Sequence, residues 1–486
     1  MNIFKNNFIL RTALFSTFIL VFASCSSFLD VDPEGEVTPS DPDAKSAEAS
    51  VIAVYNQALA WDVHSFSWIG VSSITSDDAD KGSDPGDTGT DKHHLDDFMF
   101  NAETPAFNDI WVGNYQGISR ANRAIEMCEN ASDIDLEYQE NLIAEARFLR
   151  AYYYWNLVRC FGGVPKIDFV PDPADPNHVE IGRTRVTKEE IYELIKDDLA
   201  YAKEKLFTKG SIPSANLGRA TKGAAVTFLA KVAMYEQDWA KVKQYTDEVM
   251  GMGYSLTNDY SHIWREIGQN NEESIFEFQA RTTTPSIGIE GYSESQGVRN
   301  QFGWGFNTPS EDLVSTYEDG DLRVEGTIIF PGQTLWDGEV VNTDVPNKYY
   351  NMKAYFSRTQ ESYDGNNWES NKNLRIFRYG EVLLMSAEAS YHAGGDVLTP
   401  INDLRKRAGL DPLPHSPTLE DIWKERRLEM AFEHDRFFDI VRQGRAAEVL
   451  RAVGKDNFRQ GVHEIFPIPN EQIRLSGGVL TQNPGY

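Results

Sequence analysis

The chain has 486 residues, 46 of them Lys or Arg and 74 Asp or Glu, for a net charge of −28. That balance argues against a nucleic-acid binder and against attachment to anionic lipid through a basic patch, and leaves mostly neutral ligands such as sugars open. Three cysteines, Cys25, Cys128 and Cys160, form neither a disulfide framework nor a CxxC metal pair.

Residues 1–24 carry Lys5 and Arg11 ahead of an uncharged apolar run from Ala13 to Ala23. This is the pattern of a secretory signal; the run is too short and wrongly flanked for a spanning helix. Residues 25–43 are acidic and proline-bearing, as suits a tether. Ala44 to Ala60 then reads as an amphipathic helix through Ala47, Val51, Val54, Ala58 and Leu59.

Trp61 to Asp97 holds nine aspartates and two tryptophans, with little helical period after Ile74. A loop this long is usually functional or disordered. Asp78, Asp80, Asp84 and Asp87 offer oxygen ligands suited to calcium, without the residue order of an EF-hand loop. Calcium is the one cofactor this pattern leaves open.

Helical text resumes at Ala106. Trp111, Tyr115, Ile118, Ala121, Ile125 and Cys128 form one stripe. The next helix, about Leu136 to Cys160, is apolar on two faces: Leu142, Ala146, Leu149 and Tyr153 on one, Ala144, Phe148, Ala151, Trp155 and Val158 on the other. A helix covered on both sides belongs to a stack. Further pairs are expected at Arg219–Tyr235 with Trp239–Met250, and at Leu374–His392 with Pro400–Ala408. Cys128 and Cys160 could face one another or be buried free thiols. The fold class is therefore mainly α: a lobe of helical pairs like tetratricopeptide units over 44–257 and 374–486, with a loop-rich lobe carrying a few short strands inserted at 258–373.

Thr418 to Gly444 opens on a capping-box pattern, Thr418 with Asp421. Here Glu425, Arg426, Arg427, Glu429, Glu433, His434, Asp435, Arg436 and Asp439 are interleaved with Phe432, Phe437, Phe438 and Ile440. Charges beside so much apolar surface must pair, because an unpaired buried ion is very costly. The stretch is expected to be a structural lattice of Arg and carboxylate pairs, with a catalytic carboxylate pair as the rival reading; no HExxH is present.

The same residues carry a resemblance. Glu425, Arg426, Arg427, Leu428, Glu429, Ala431, Phe432, Glu433, Arg436, Phe438, Asp439, Arg442 and Gly444 resemble the C-terminal signature of the SusD/RagB family of surface glycan-binding lipoproteins. Asp435 beside His434 departs from it. Pro467, Ile468, Pro469 and the closing Gln482, Asn483, Pro484, Gly485 and Tyr486 resemble the family's final motif, and GWGFNTP around Trp304 resembles another. The ending FASC resembles a lipobox, with Phe22 where Leu is commoner, so that Cys25 would be the lipidated residue. The resemblance implies a non-catalytic lipoprotein anchored at the outer membrane and facing the cell exterior. It would bind oligo- or polysaccharide and deliver it to a SusC-like TonB-dependent transporter for nutrient uptake. A surface glycoside hydrolase and a RagB-like peptide-capturing lipoprotein remain as alternatives.

Glycan binding needs flat aromatic faces with carboxylates, amides or Arg at their edges. Trp68, Trp336 and Trp368, beside Asp, Gly and Asn in loop-like text, are candidate platforms; Asp78 and Trp304 complete the candidate set. Each tryptophan is also a candidate for the core, Trp304 more so because it lies inside a motif that resembles the family framework.

Overall fold

The computed structural model describes residues 42–87, 90–213, 216–280, 288–365 and 368–486. The signal sequence, Cys25 and the tether up to residue 41 lie outside the described residues.

Helix α1 (Ala44–Gln57) starts at a capping box between Asp43 and Ser46. It lies on α2 (Pro105–Glu129) and α3 (Leu136–Phe161). Gly117 lets α2 approach α3 closely, since a Cβ there would sit 2.5 Å from the Tyr153 ring. Helix α3 is covered on both faces, as its two stripes predict. Its outer neighbour is α4 (Lys188–Lys205), which the stripe reading did not single out although Thr187 and Glu190 form a complete capping box. The stack continues through α5 (Lys222–Tyr235), α6 (Trp239–Met250), α7 (Tyr379–Ala393), α8 (Leu398–Arg407) and α9 (Leu419–Met430), each packed on the one before or on α7. Among the described residues no helix is long and apolar enough to cross a membrane.

Strands are few and antiparallel: β1 (Ala79–Gly82) pairs with β3 (Phe306–Pro309), β2 (Ser274–Phe278) with β6 (Leu374–Arg378), and β4 (Ile328–Ile329) with β5 (Tyr350–Asn351). The expected helix from Leu374 is thus a strand over its first five residues, and α7 starts only at Tyr379. Partner β2, about a hundred residues earlier, decides the state of this apolar run, whose local period is ambiguous. Between β2 and β6 lies a small apolar cluster around Val298, Ile329, Leu335, Tyr350 and Tyr355, while Leu313 and Ile328 pack with Ala79, Leu428 and Phe432.

The segment after α1 is also not the open loop expected of it. Trp61–His64 and Phe66–Ile69 are short helices, and Gly70–Ile74 forms a fully buried π turn before β1. Cys128 and Cys160 are both buried and free.

The charged stretch forms the expected lattice, in two pieces. Helix α9 stops at Met430, Phe432 and His434 adopt left-handed backbone (φ +64° and +66°), and α10 runs from Arg436 to Arg442. The break aims Glu433 and Asp435 at different cations. Glu433 accepts from Arg378 (2.7 and 2.8 Å) and Lys353 (2.8 Å), while Asp435 accepts from Arg159 (2.8 Å) and Lys231. Glu429 takes Arg378 (2.5 Å) and Arg407; Arg426 bridges Asp439 (2.6 Å) and Glu381 (2.9 Å). The guanidinium groups around Glu429 and Asp77 outweigh burial and hold both carboxyls far below the usual range. Every acid of the pattern sits against a guanidinium or ammonium group. A catalytic pair would instead need a carboxylate free to face a substrate.

Candidate functional site

Three separated stretches meet on one surface. The Glu290 N–H donates to the Leu59 carbonyl (3.2 Å) and the Gly291 N–H to that of Trp368 (2.6 Å), while Glu290 and Glu369 form an antiparallel bridge. The Trp61 N–H in turn donates to the Glu290 carboxylate at 3.1 Å. This stitching stacks the Trp61 and Trp368 rings, with centroids 5.0 Å apart and planes 10° from parallel. Trp304 stands against both, 6.4 Å from Trp61 and 6.0 Å from Trp368. Phe66 buttresses Trp61 and Trp304 at 5.8 and 5.9 Å and itself packs edge-on to Phe306.

Gly291 is required where it stands. Its φ is +65°, and a Cβ would lie 2.5 Å from the Trp61 ring and 3.2 Å from that of Trp368. Trp368 is 39% exposed, and Trp61 and Trp304 are half-buried. The result is an aromatic shelf on a braced base, open to solvent on the Trp368 side. Glu290 accepts the Trp61 N–H, Asp62 follows Trp61 in the chain, and Asp109 on α2 acts on Asp62. Partial burial, with the charges of Asp109 and Glu290, pushes the Asp62 carboxyl up, and Asp109 accepts the Ser67 hydroxyl at 2.6 Å.

Of the candidate residues, Trp304 and Trp368 are brought together here. Trp61, which the sequence reading did not single out, joins them, and its place at the end of the first helix beside Asp62 was its only local signal. Trp68 is a correction. It is 2% exposed, stacks on Phe438 at 5.8 Å and has the Arg159 guanidinium 5.5 Å from its ring, so no face is open to a ligand. Trp68→Ala should therefore destabilise the protein by about 3 to 5 kcal/mol. A melting curve like that of the unmodified protein would contradict the packing.

Asp78 is a second correction. It is 1% exposed, with Arg427 at 2.6 Å and Arg436 at 3.7 Å, because a buried carboxylate needs such partners and these two occupy its open side. The four aspartates weighed for calcium are not gathered. The Lys81 ammonium fills the turn, donating to the carbonyls of Asp84 (3.2 Å) and Asp87 (2.7 Å), and no cluster of three ligating side chains occurs among the described residues. Trp336 has one face covered by the Arg265 guanidinium at 3.7 Å and Tyr355 edge-on at 6.4 Å, and it makes no ring contact with the shelf.

A stack of helical pairs that braces an open aromatic shelf defines a ligand-binding protein on a repeat scaffold. The comparisons with known proteins name the family. Residues 254–486 match the SusD family, and residues 27–234 match the family described as starch-binding, associating with the outer membrane. The chain belongs to the SusD family. A SusD-like protein of Formosa agariphila is 28% identical over 447 residues, covering 83% of this chain and 86% of that one. Among solved structures, a laminarin-binding SusD-like protein superposes with a TM-score of 0.78 at 29% identity, over 92% of this chain and all of its own. Surface glycan-binding protein A from Bacteroides fluxus does so with a TM-score of 0.76 at 27% identity, over 92% of this chain and 100% of that one.

Proposed function

We propose that this protein is a non-catalytic surface lipoprotein that binds a glycan on the Trp61, Trp304 and Trp368 shelf and passes it to a TonB-dependent outer-membrane transporter. The observation that carries the reading is the shelf itself. Stacked indoles on a braced base offer flat apolar faces to sugar rings, and the neighbouring carboxylates accept hydroxyl protons. A similar protein binds laminarin, and part of the chain matches a starch-binding family, so β- and α-glucans are the first ligands to test. Retention on laminarin or starch gels, with no release of reducing sugar, is the expected result. Release of reducing sugar would select a surface hydrolase, and retention of peptides in place of glycans a peptide-capturing protein.

The anchor is proposed from the FASC ending, with Cys25 as the acylated residue. About 0.8 kcal/mol per buried methylene makes several acyl chains a stable attachment. Cys25→Ala should move the protein from the membrane to the soluble fraction. A variant that still sediments with outer membranes would defeat this assignment.

A further inference from the structure

The acids beside the shelf differ from those elsewhere in the molecule. Buried carboxylates such as Asp77, Asp198, Glu388 and Glu429 face guanidinium groups at 2.5 to 2.8 Å. Asp62, Asp109 and Glu290 are half-buried, and among the described residues none of them is ion-paired. The groups acting on Asp62 are other acids, Asp109 and Glu290. The described cations near them have other partners as well: Lys92 pairs with Asp91 at 2.5 Å, lies over Phe66 and also acts on Asp109, while Arg299 donates to the Trp304 carbonyl and lies 4.0 Å from Asp87.

Such carboxylates have acceptor capacity left after the single donors supplied by Ser67 and Trp61. Sugar hydroxyls would donate into that capacity. A uronate or sulfate group has no proton to donate and adds like charge beside Asp62 and Glu290, which have no ion pair among the described residues, and like-charge juxtaposition is how binding surfaces suppress wrong partners.

We propose that the shelf accepts uncharged, hydroxyl-rich glycans and rejects polysaccharides bearing carboxylate or sulfate groups, with Asp62, Asp109 and Glu290 as the discriminating residues. This rests on the shelf being the glycan site.

The test compares laminarin with sulfated laminarin of the same length, and starch with alginate, using the full chain. In low salt the sulfated polymer should bind at least about tenfold more weakly than the neutral one, the order expected for like charges about 6 Å apart at a partly screened surface. The gap should narrow in about 0.5 M NaCl, where screening acts over only a few ångströms. It should narrow too in Asp62→Asn with Glu290→Gln, which keeps an oxygen for the Trp61 N–H.

Sulfated laminarin or alginate bound as tightly as the neutral glucan, and released by Trp368→Ala, would overturn the selection while leaving the shelf in place. A gap unchanged by salt and by the double variant would show that charge is not its cause. Neutral-glucan binding indifferent to Trp368→Ala, or retention of none of the four polymers, would overturn the shelf reading and this inference with it.

Discussion

Arg378→Ala should lower the stability of the folded chain by about 3 to 5 kcal/mol, the cost of leaving a buried ionic cluster one partner short. The Arg378 guanidinium donates to Glu273 (2.8 Å), Glu429 (2.5 Å) and Glu433 (2.7 and 2.8 Å), and Arg378 is 1% exposed. Without it, three buried carboxylates must share Arg407, Arg323 and Lys353. A melting temperature lower by roughly 3 to 5 °C is the expected reading for a chain of this length, at ~2.1 cal/mol/K of unfolding entropy per residue. Lys should not restore it, because a single ammonium cannot replace a fork that serves three acids. Arg426→Ala should behave alike, since it strips Asp439 and Glu381 of a shared partner. Glycan retention per folded molecule should be unchanged in both variants. Loss of retention with an unaltered melting curve would move the lattice from framework to binding site.

Trp368→Ala should give the opposite pattern. The ring is 39% exposed, so the core loses little, and the melting temperature should shift by about a degree at most. Binding loses the outer face of the stack. A hot-spot loss of about 2 kcal/mol corresponds to roughly thirtyfold in affinity, enough to abolish retention on an affinity gel. Trp61→Ala should lose as much, with a larger effect on stability, because its ring is wedged among Phe66, Trp304 and Trp368. If both variants bind as the unmodified protein does, or lose binding only by unfolding, the shelf is not the site.

The helical stack was legible wherever one helix's own period declares its faces. The two stripes of α3 foretold neighbours on both sides, and the charged stretch foretold its pairing, because electrostatic cost allows a buried ion little else. What local pattern could not decide was set by distant partners. Leu374–Arg378 became a strand because Ser274–Phe278 lies beside it. Trp68 and Trp61, seven residues apart, parted company because Phe438 covers the first, whereas Trp368 meets the second beside Gly291. Asp78 read as a free ligand because its neutralising arginines lie more than 340 residues further on.

That remoteness also sets an order of events in time. Arg427 and Arg436 reach back 349 and 359 residues to Asp78 and Asp77, and Lys455 reaches back 381 residues to the Ile74 carbonyl that ends the π turn. Until those contacts form the early helices can pair among themselves, while the turn that leads into β1 lacks the cations that neutralise it. Closing so long a loop is entropically unfavourable until its contacts form, so it comes late. The pairing of β1 with β3, whose Phe306 packs against Phe66 under the proposed shelf, therefore waits on Arg427, Arg436 and Lys455. A chain stopped before α9 should keep its N-terminal helices yet leave the segment around Asp77 open to proteolysis.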